Sequence, residues 1–187
     1  MAQLTEKDKM ITGQLYRSSD DLLRNERKGA RRLLKVFNDS LPDETDKRAA
    51  ILKELLGMLE RQTEIEPPFY CDYGYNIRVG DNFYANFNCI ILDCAKVIIG
   101  DNVFLGPNVQ IYTATHPLAA EERNKGLEAA KPIVIEDSVW ICGGAIINPG
   151  VTIGKGTTIG PGSVVTRDIP PNVLAAGNPC KLIRNLA

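Results

Sequence analysis

The chain contains one histidine, His116, within "IYTATHPLAA" at residues 111–120. An imidazole takes and returns a proton near neutral pH, because its unperturbed pKa is about 6.5. His116 stands just past a run of regularly spaced apolar residues and is followed by Pro117 and a stretch rich in charge and alanine. That place suits a general base at the root of a loop. It equally suits an incidental residue at a strand end. The five cysteines, Cys71, Cys89, Cys94, Cys142 and Cys180, are scattered and form no C-x-x-C pair. Zinc sites built from cysteine use closely spaced ligand pairs, so these read as reduced thiols packed like small apolar side chains. A zinc enzyme built on three histidines is excluded by the histidine count alone.

The element that must position His116 is a repeat. From Tyr73 onward apolar residues recur every six positions: Tyr73, Val79, Ala85 and Ile91, then Ile99, Leu105 and Ile111. The series resumes with Ile135, Ile141, Ile147, Ile153, Ile159 and Val165. Four positions after most of these stands a small or branched residue, such as Val103, Val109, Val139, Ala145, Val151, Thr157 and Ser163. A period of six is neither helical nor a plain strand alternation. It predicts a coil of very short strands joined by turns, each inward residue stacked on the next coil. The period leaves the hand of the coil open. An eight-residue step from Ile91 to Ile99 predicts a bulge near "DCAK". A step of 24 from Ile111 to Ile135 predicts a long protruding loop, residues 113–131.

Residues 1–65 carry the helical signal and precede the coil of residues 66–187. Leu22, Leu23, Ala30, Leu33, Leu34 and Phe37 lie at helical spacing, as do Ile51, Leu52, Leu55, Leu56 and Leu59. Ser40 and Pro42 suit the entry of the second helix, with Asp43 and Glu44 in its first turn. The two prolines of "EIEPPFY" end the helical pattern. The net charge of -1 argues against a nucleic-acid partner. No stretch approaches the roughly 18 consecutive apolar residues of a membrane span. The polar start "MAQLTEKDKM" lacks the apolar run of a secretory signal, so a cytoplasmic protein is expected.

"NFYANFNCIILD", "IGDNVFLGPNVQIYTATHP", "RNKG" and the run from "KPIVIEDSVWICGGAIINPGVTIG" to "NPCKLIR" closely resemble the galactoside, maltose and nodulation acetyltransferases. "EPPFYCDYGYNI" and "GQLYRSSDDLLRNERKGARRLL" resemble the maltose branch most. The resemblance covers nearly the whole chain. It implies a mainly β protein, a left-handed parallel β-helix with an N-terminal helical segment, assembled as a homotrimer with sites between adjacent subunits. It further implies acetyl-CoA as co-substrate, a small-molecule sugar acceptor, no metal requirement, and His116 as the base.

On the same resemblance Asn86 contacts the acceptor, with Asp72, Tyr84, Asp93, Ser18 and Arg27 as neighbouring acceptor-site candidates. Ser18 and Cys94 stand where the galactoside branch has acceptor-contacting acids, which favours a maltose-like or glucose-like acceptor. For acetyl-CoA the implied contacts are Gly143, Pro161 and Thr166, with Trp140 along the pantetheine arm. Arg167, Lys181 and Arg184 are a basic cluster suited to the CoA phosphates. Cys142 and Glu136 replace glycines usual in the family, and Cys142 falls close to the acetyl-CoA groove. Another hydroxyl or amino acceptor, and a catalytically silent coil, remain as alternatives. A backbone carbonyl near Glu128 is the expected partner of the second imidazole nitrogen.

Overall fold

The computed structural model describes residues 4–59 and 62–186. Residues 1–3 and 187, the outer ends of the two expected segments, lie outside that range, as do residues 60 and 61. Three sheets of five, five and seven strands form a parallel β-solenoid. Its inward residues stack in register. Leu105, Ile141 and Ile159 form one column, Ile111, Ile147 and Val165 a second, and Ile99, Ile135 and Ile153 a third. All nine are buried, as are Val103, Val109, Val139, Ala145, Val151, Thr157 and Ser163 four positions on. Between them the chain turns through left-handed backbone at Asn102, Asn108, Ser138, Gly144 and Gly150. Asparagine and glycine tolerate that conformation best among the residue types.

Two positions differ from the expected pattern. Cys71, not Tyr73, occupies the inward place below Ile91. Tyr73 is instead buried in a second, smaller core with Met10, Tyr16, Leu23, Cys94, Ala95 and Ala130. The coil also starts earlier than residue 66. Strands Met58–Leu59 and Glu64–Ile65 already pair with Ile77–Val79 and Tyr84–Ala85. Leu59 is therefore in a strand and not on a helical stripe. Gly57 permits this early turn, since a Cβ there would lie 2.1 Å from the Tyr75 carbonyl oxygen.

The helices are α1 (Glu6–Ile11), α2 (Asp21–Asn38) and α3 (Thr45–Leu55), with a short α4 (Ala120–Arg123) in the loop. Helix α3 begins three residues after Pro42, with Glu44 as its N-terminal flank. Leu34 and Phe37 of α2 and Ile51, Leu52 and Leu55 of α3 belong to the same continuous core as the coil. The helical segment is thus a lid on the first coil. At the end of α2 the Asn38 amide donates to the Phe69 carbonyl (3.0 Å) and accepts from the Phe69 N–H (2.9 Å), seating the helix against the edge strand Phe69–Cys71. The other end is closed by an antiparallel pair, Val173–Ala176 with Lys181–Asn185. No helix among the described residues is long and apolar enough to cross a membrane.

Among the described residues, the positions added to the regular coil fall at one edge of the prism. A regular coil takes eighteen positions, as from Ile141 to Ile159. Cys71 to Ile91 and Ile91 to Ile111 each take twenty. Ile99 to Ile135 takes thirty-six. The added residues fall after strands Phe69–Cys71, Cys89–Leu92 and Gln110–Tyr112, which are neighbours in one sheet. Three enlarged corners therefore lie one above another. Replacing the stacked Ile111 by alanine is expected to cost about 2–5 kcal/mol. The same change at exposed Arg78 should stay within about 0.5 kcal/mol. Urea denaturation of the two variants checks this difference.

Candidate active site

The three corners carry most of the residues singled out around His116. The first corner supplies Asp72, the second Cys94, and the third His116. Ser18 and Arg27 approach from the N-terminal segment, and together these residues line a cavity of about 270 Å³. The loop at the third corner folds back as an ordered hairpin. Ala114–Thr115 pairs antiparallel with Leu127–Ala130, and the N-terminal strand Tyr16–Arg17 adds to the other side of the latter. The Tyr16 hydroxyl donates to Glu128 (2.9 Å), and Arg17 donates to the Lys125 carbonyl (3.1 Å).

His116 is exposed at this cavity. Its Nδ1 lies 3.2 Å from the carbonyl oxygen of Leu127, the residue before Glu128. A carbonyl only accepts, so the contact requires the proton on Nδ1 and leaves Nε2 with its lone pair. Nε2 has no hydrogen-bond partner among the described residues. The ring is therefore oriented and holds the tautomer that a general base needs.

Arg27 is half-buried, not a solvated helix residue: it donates to the Tyr73 hydroxyl (2.5 Å) and to the Ser18 carbonyl (2.6 Å). It fixes the position of Ser18 at the cavity wall. Asp72 is half-buried, and burial pushes its carboxyl above the usual range, against the pull of the Cys94 thiol, Arg27 and Arg31.

Asp93 does not reach the cavity. It is fully buried, and its carboxylate accepts from the N–H groups of Asp72 (3.0 Å), Tyr73 (2.8 Å) and Asn76 (3.3 Å). The Asn76 amide returns a bond to the Asp93 carbonyl (2.7 Å). Asp93 is thus the pin of the first corner and positions Asp72. The second corner is tied to the loop by Thr113, whose hydroxyl donates to the Leu92 carbonyl (2.6 Å) and accepts from the Ala95 N–H (2.9 Å).

Tyr84 and Asn86 lie elsewhere. Tyr84, Phe104 and Trp140 are in register on another sheet, each one residue before an inward side chain, so their rings face outward. With Asn86 and Gly106 they line a groove of about 420 Å³ along a second edge. The Asn86 Oδ1 accepts from the Phe87 N–H (2.7 Å), and its NH₂ is unpartnered among the described residues. Gly106 keeps the coils in contact here, since a Cβ would lie 2.5 Å from the Gly143 nitrogen.

Gly143 and Pro161 continue this second edge, joined through the Gly162 N–H to the Gly143 carbonyl (3.0 Å). Cys142 is half-buried beside Gly143, and burial raises its thiol pKa. Glu136 fits its corner by accepting from the Lys155 N–H (2.8 Å).

The expected basic cluster is divided. Lys181 and Arg184 lie on the outermost strand of the Trp140 sheet, whereas Thr166 and Arg167 follow Val164–Val165 on the His116 edge. The residues expected to work together thus occupy two edges of one chain. A face of about six residues at about 3.3 Å each separates them, roughly 20 Å. Phe104 was not singled out by sequence, although its register with Tyr84 and Trp140 was readable from the period. Glu128 and Tyr16 left no such signal. Among the described residues, no group of three or more His, Cys, Asp or Glu side chains is placed to hold a metal ion.

The stability that Asp93 contributes depends on pH. Burial pushes its carboxyl up to about 6, against the pull of backbone N–H groups, from about 3.9 in an unfolded chain. The folded state therefore holds this proton more tightly. The associated stability is complete below about pH 4 and is lost as pH rises through about 6. Asp93→Asn loses an acceptor facing Asn76 and should cost about 1–3 kcal/mol at pH 4. The gap to wild type should narrow by pH 7. Urea denaturation across this range measures it.

Comparison with known proteins agrees with this architecture. Residues 9–59 match the family described as "Maltose acetyltransferase hexapeptide capping motif", and residues 132–167 match "Bacterial transferase hexapeptide (six repeats)". The galactoside O-acetyltransferase of Escherichia coli is 44% identical over 96% of this chain and 88% of its own length. The crystal structure of a maltose O-acetyltransferase from Clostridium difficile superposes with a TM-score of 0.98 at 53% identity, over 100% of both chains. A hexapeptide-repeat acetyltransferase from Vibrio cholerae, solved with acetyl coenzyme A, superposes with a TM-score of 0.92 at 40% identity, over 98% of this chain and 100% of that one. The chain, with its stacked hexapeptide coils and their helical cap, belongs to the hexapeptide-repeat acetyltransferases, in the group that holds the maltose and galactoside O-acetyltransferases.

Proposed function

We propose that this protein transfers an acetyl group from acetyl-CoA to a hydroxyl of a sugar such as maltose or glucose, with His116 as general base. The observation that carries the reading is the Leu127 carbonyl on Nδ1, which leaves Nε2 free to accept a proton. A sugar hydroxyl is a poor nucleophile at neutral pH, whereas a thioester is already activated. Nε2 takes the hydroxyl proton as the oxygen attacks the thioester carbonyl. The tetrahedral intermediate then expels the CoA thiolate, and the imidazolium returns the proton to sulfur. The Gly143 N–H is the donor we assign to the developing oxyanion, because no side chain obstructs it. A fixed base of this kind contributes about 10²- to 10⁴-fold.

The separation of the two edges supports a site shared with a second copy. No single chain brings Asn86, Trp140 and Gly143 to His116. We therefore place the active site between adjacent copies of a homotrimer, the first edge of one facing the second edge of the next. This arrangement also reunites Arg167 with Lys181 and Arg184, giving the phosphates of CoA their cations. The half-open groove beside Trp140, Phe104 and Tyr84 suits the thin pantetheine arm. Ser18 and Cys94 offer no carboxylate to the acceptor at positions where the galactoside branch has acids, which supports a glucose-type acceptor over a galactoside.

His116→Ala should lower kcat with maltose or glucose by about 10²- to 10⁴-fold and leave KM for acetyl-CoA unchanged. CoA release measures both, and equal rates in variant and wild type would sink the assignment of the base. Co-expression of His116→Ala with Asn86→Ala tests the shared site. Each variant alone is impaired, but mixed trimers regain sites with both residues intact, to roughly a quarter of wild-type activity at equal mixing. Failure to recover above either parent would mean that each site is built from one chain.

A further inference from the structure

A larger cavity adjoins the one at His116. It measures about 530 Å³ and lies between α2 and the edge of the coil. Arg31, Lys35 and Asp39 line it from the helix, and Tyr70, Asp72 and Leu92 from the coil. Asp72 and Leu92 also line the His116 cavity, so the two are neighbours across a common wall. Its volume lies within the range of about 300–1,000 Å³ usual for small-molecule sites.

The lining has a definite chemistry. Tyr70 is an outward residue of the strand Phe69–Cys71 and is 47% exposed, presenting a broad amphipathic ring. The backbone before it is fixed, because Asn38 clamps Phe69 through both its backbone groups. Arg31 makes no hydrogen bond or ion pair among the described residues, and its charge acts on Asp72. Its guanidinium fork offers several donors in one plane. Lys35 is already paired with Asp39. Two cations thus face two carboxylates, and the cavity holds donors and acceptors in balance without an excess of either sign. A neutral polyhydroxylated ring matches this: its hydroxyls both donate and accept, and its C–H face stacks on an aromatic ring.

We propose that this cavity is a second acceptor subsite, in which Tyr70 and Arg31 bind a further glycosyl unit attached to the one that reacts at His116. The inference rests on the sugar acetyltransferase reading above. It makes Tyr70 and Arg31 determinants of acceptor length. Binding at a remote ring positions the reacting hydroxyl and so favours the longer acceptor.

The test compares maltose with glucose at saturating acetyl-CoA, for wild type, Tyr70→Ala and Arg31→Ala, with circular dichroism to confirm folding. Wild type should favour the disaccharide in kcat/KM. Each variant should lose about fivefold or more in kcat/KM for maltose, equivalent to about 1 kcal/mol. Glucose turnover and KM for acetyl-CoA should stay at wild-type values. Equal losses with both sugars, or no loss with either, would overturn the subsite while leaving the acetyltransferase reading intact. Absence of turnover with every sugar in the wild type would instead overturn the functional reading, and the subsite with it.

Discussion

Three backbone N–H groups converge on the buried carboxylate of Asp93, and the shape of the edge that carries His116 depends on that convergence. A carboxyl group removed from water is costly unless its oxygens are satisfied. Here the satisfying partners are the backbone of the corner one coil below. The corner at residues 72–76 cannot relax without leaving the carboxylate unpaired. Asn76 closes the arrangement by bonding back to the Asp93 carbonyl. Thr113 performs the corresponding task one level higher, between the second corner and the root of the loop. Three irregular corners become one wall because side chains of one level hold the backbone of another.

The N-terminal segment then locks that wall from outside. Tyr16–Arg17 extends the hairpin that carries His116, and Arg27 reaches across to Tyr73 and Ser18. A second set of contacts joins the helices to the same corner: Tyr75 donates to Glu26 (2.7 Å), and Lys7 both pairs with Glu26 and lies over the Tyr75 ring. The His116 imidazole is therefore held from two directions. The carbonyl of Leu127 sets its tautomer, and the strand order around Leu127 sets the carbonyl.

The coil was legible in the sequence because its rule is local and repeated. Each inward position shows itself as an apolar residue six places from the next, and eleven of the positions read from that spacing are buried between Val79 and Ile159. The register error at Tyr73 arose where two such rules overlap. Both Cys71 and Tyr73 are apolar, and only the pairing of Cys71 with Ile91 decides between them. The early start of the coil was hidden for a related reason, since Met58 and Leu59 continue a helical spacing until Gly57 is seen pressed against Tyr75. His116 was conspicuous by type. The role of Asp93 was not, because an aspartate turned inward on backbone and one turned outward to a ligand have the same sequence signature. The separation of Asn86 and Trp140 from His116 follows from which edge each turn occupies, which the six-residue period leaves open until three steps are known to close one coil.

The enlarged corners show how such a coil tolerates change. Ile99 and Ile135 are neighbours in the stack although a whole excursion of chain lies between them. The stack registers only the residues that face inward, so an edge can lengthen without disturbing the columns on either side. Closing a longer excursion adds little free energy, because the entropic cost grows only with the logarithm of its length. Novelty can accumulate along such an edge one corner at a time, while the columns that keep the molecule folded inherit nothing of the experiment.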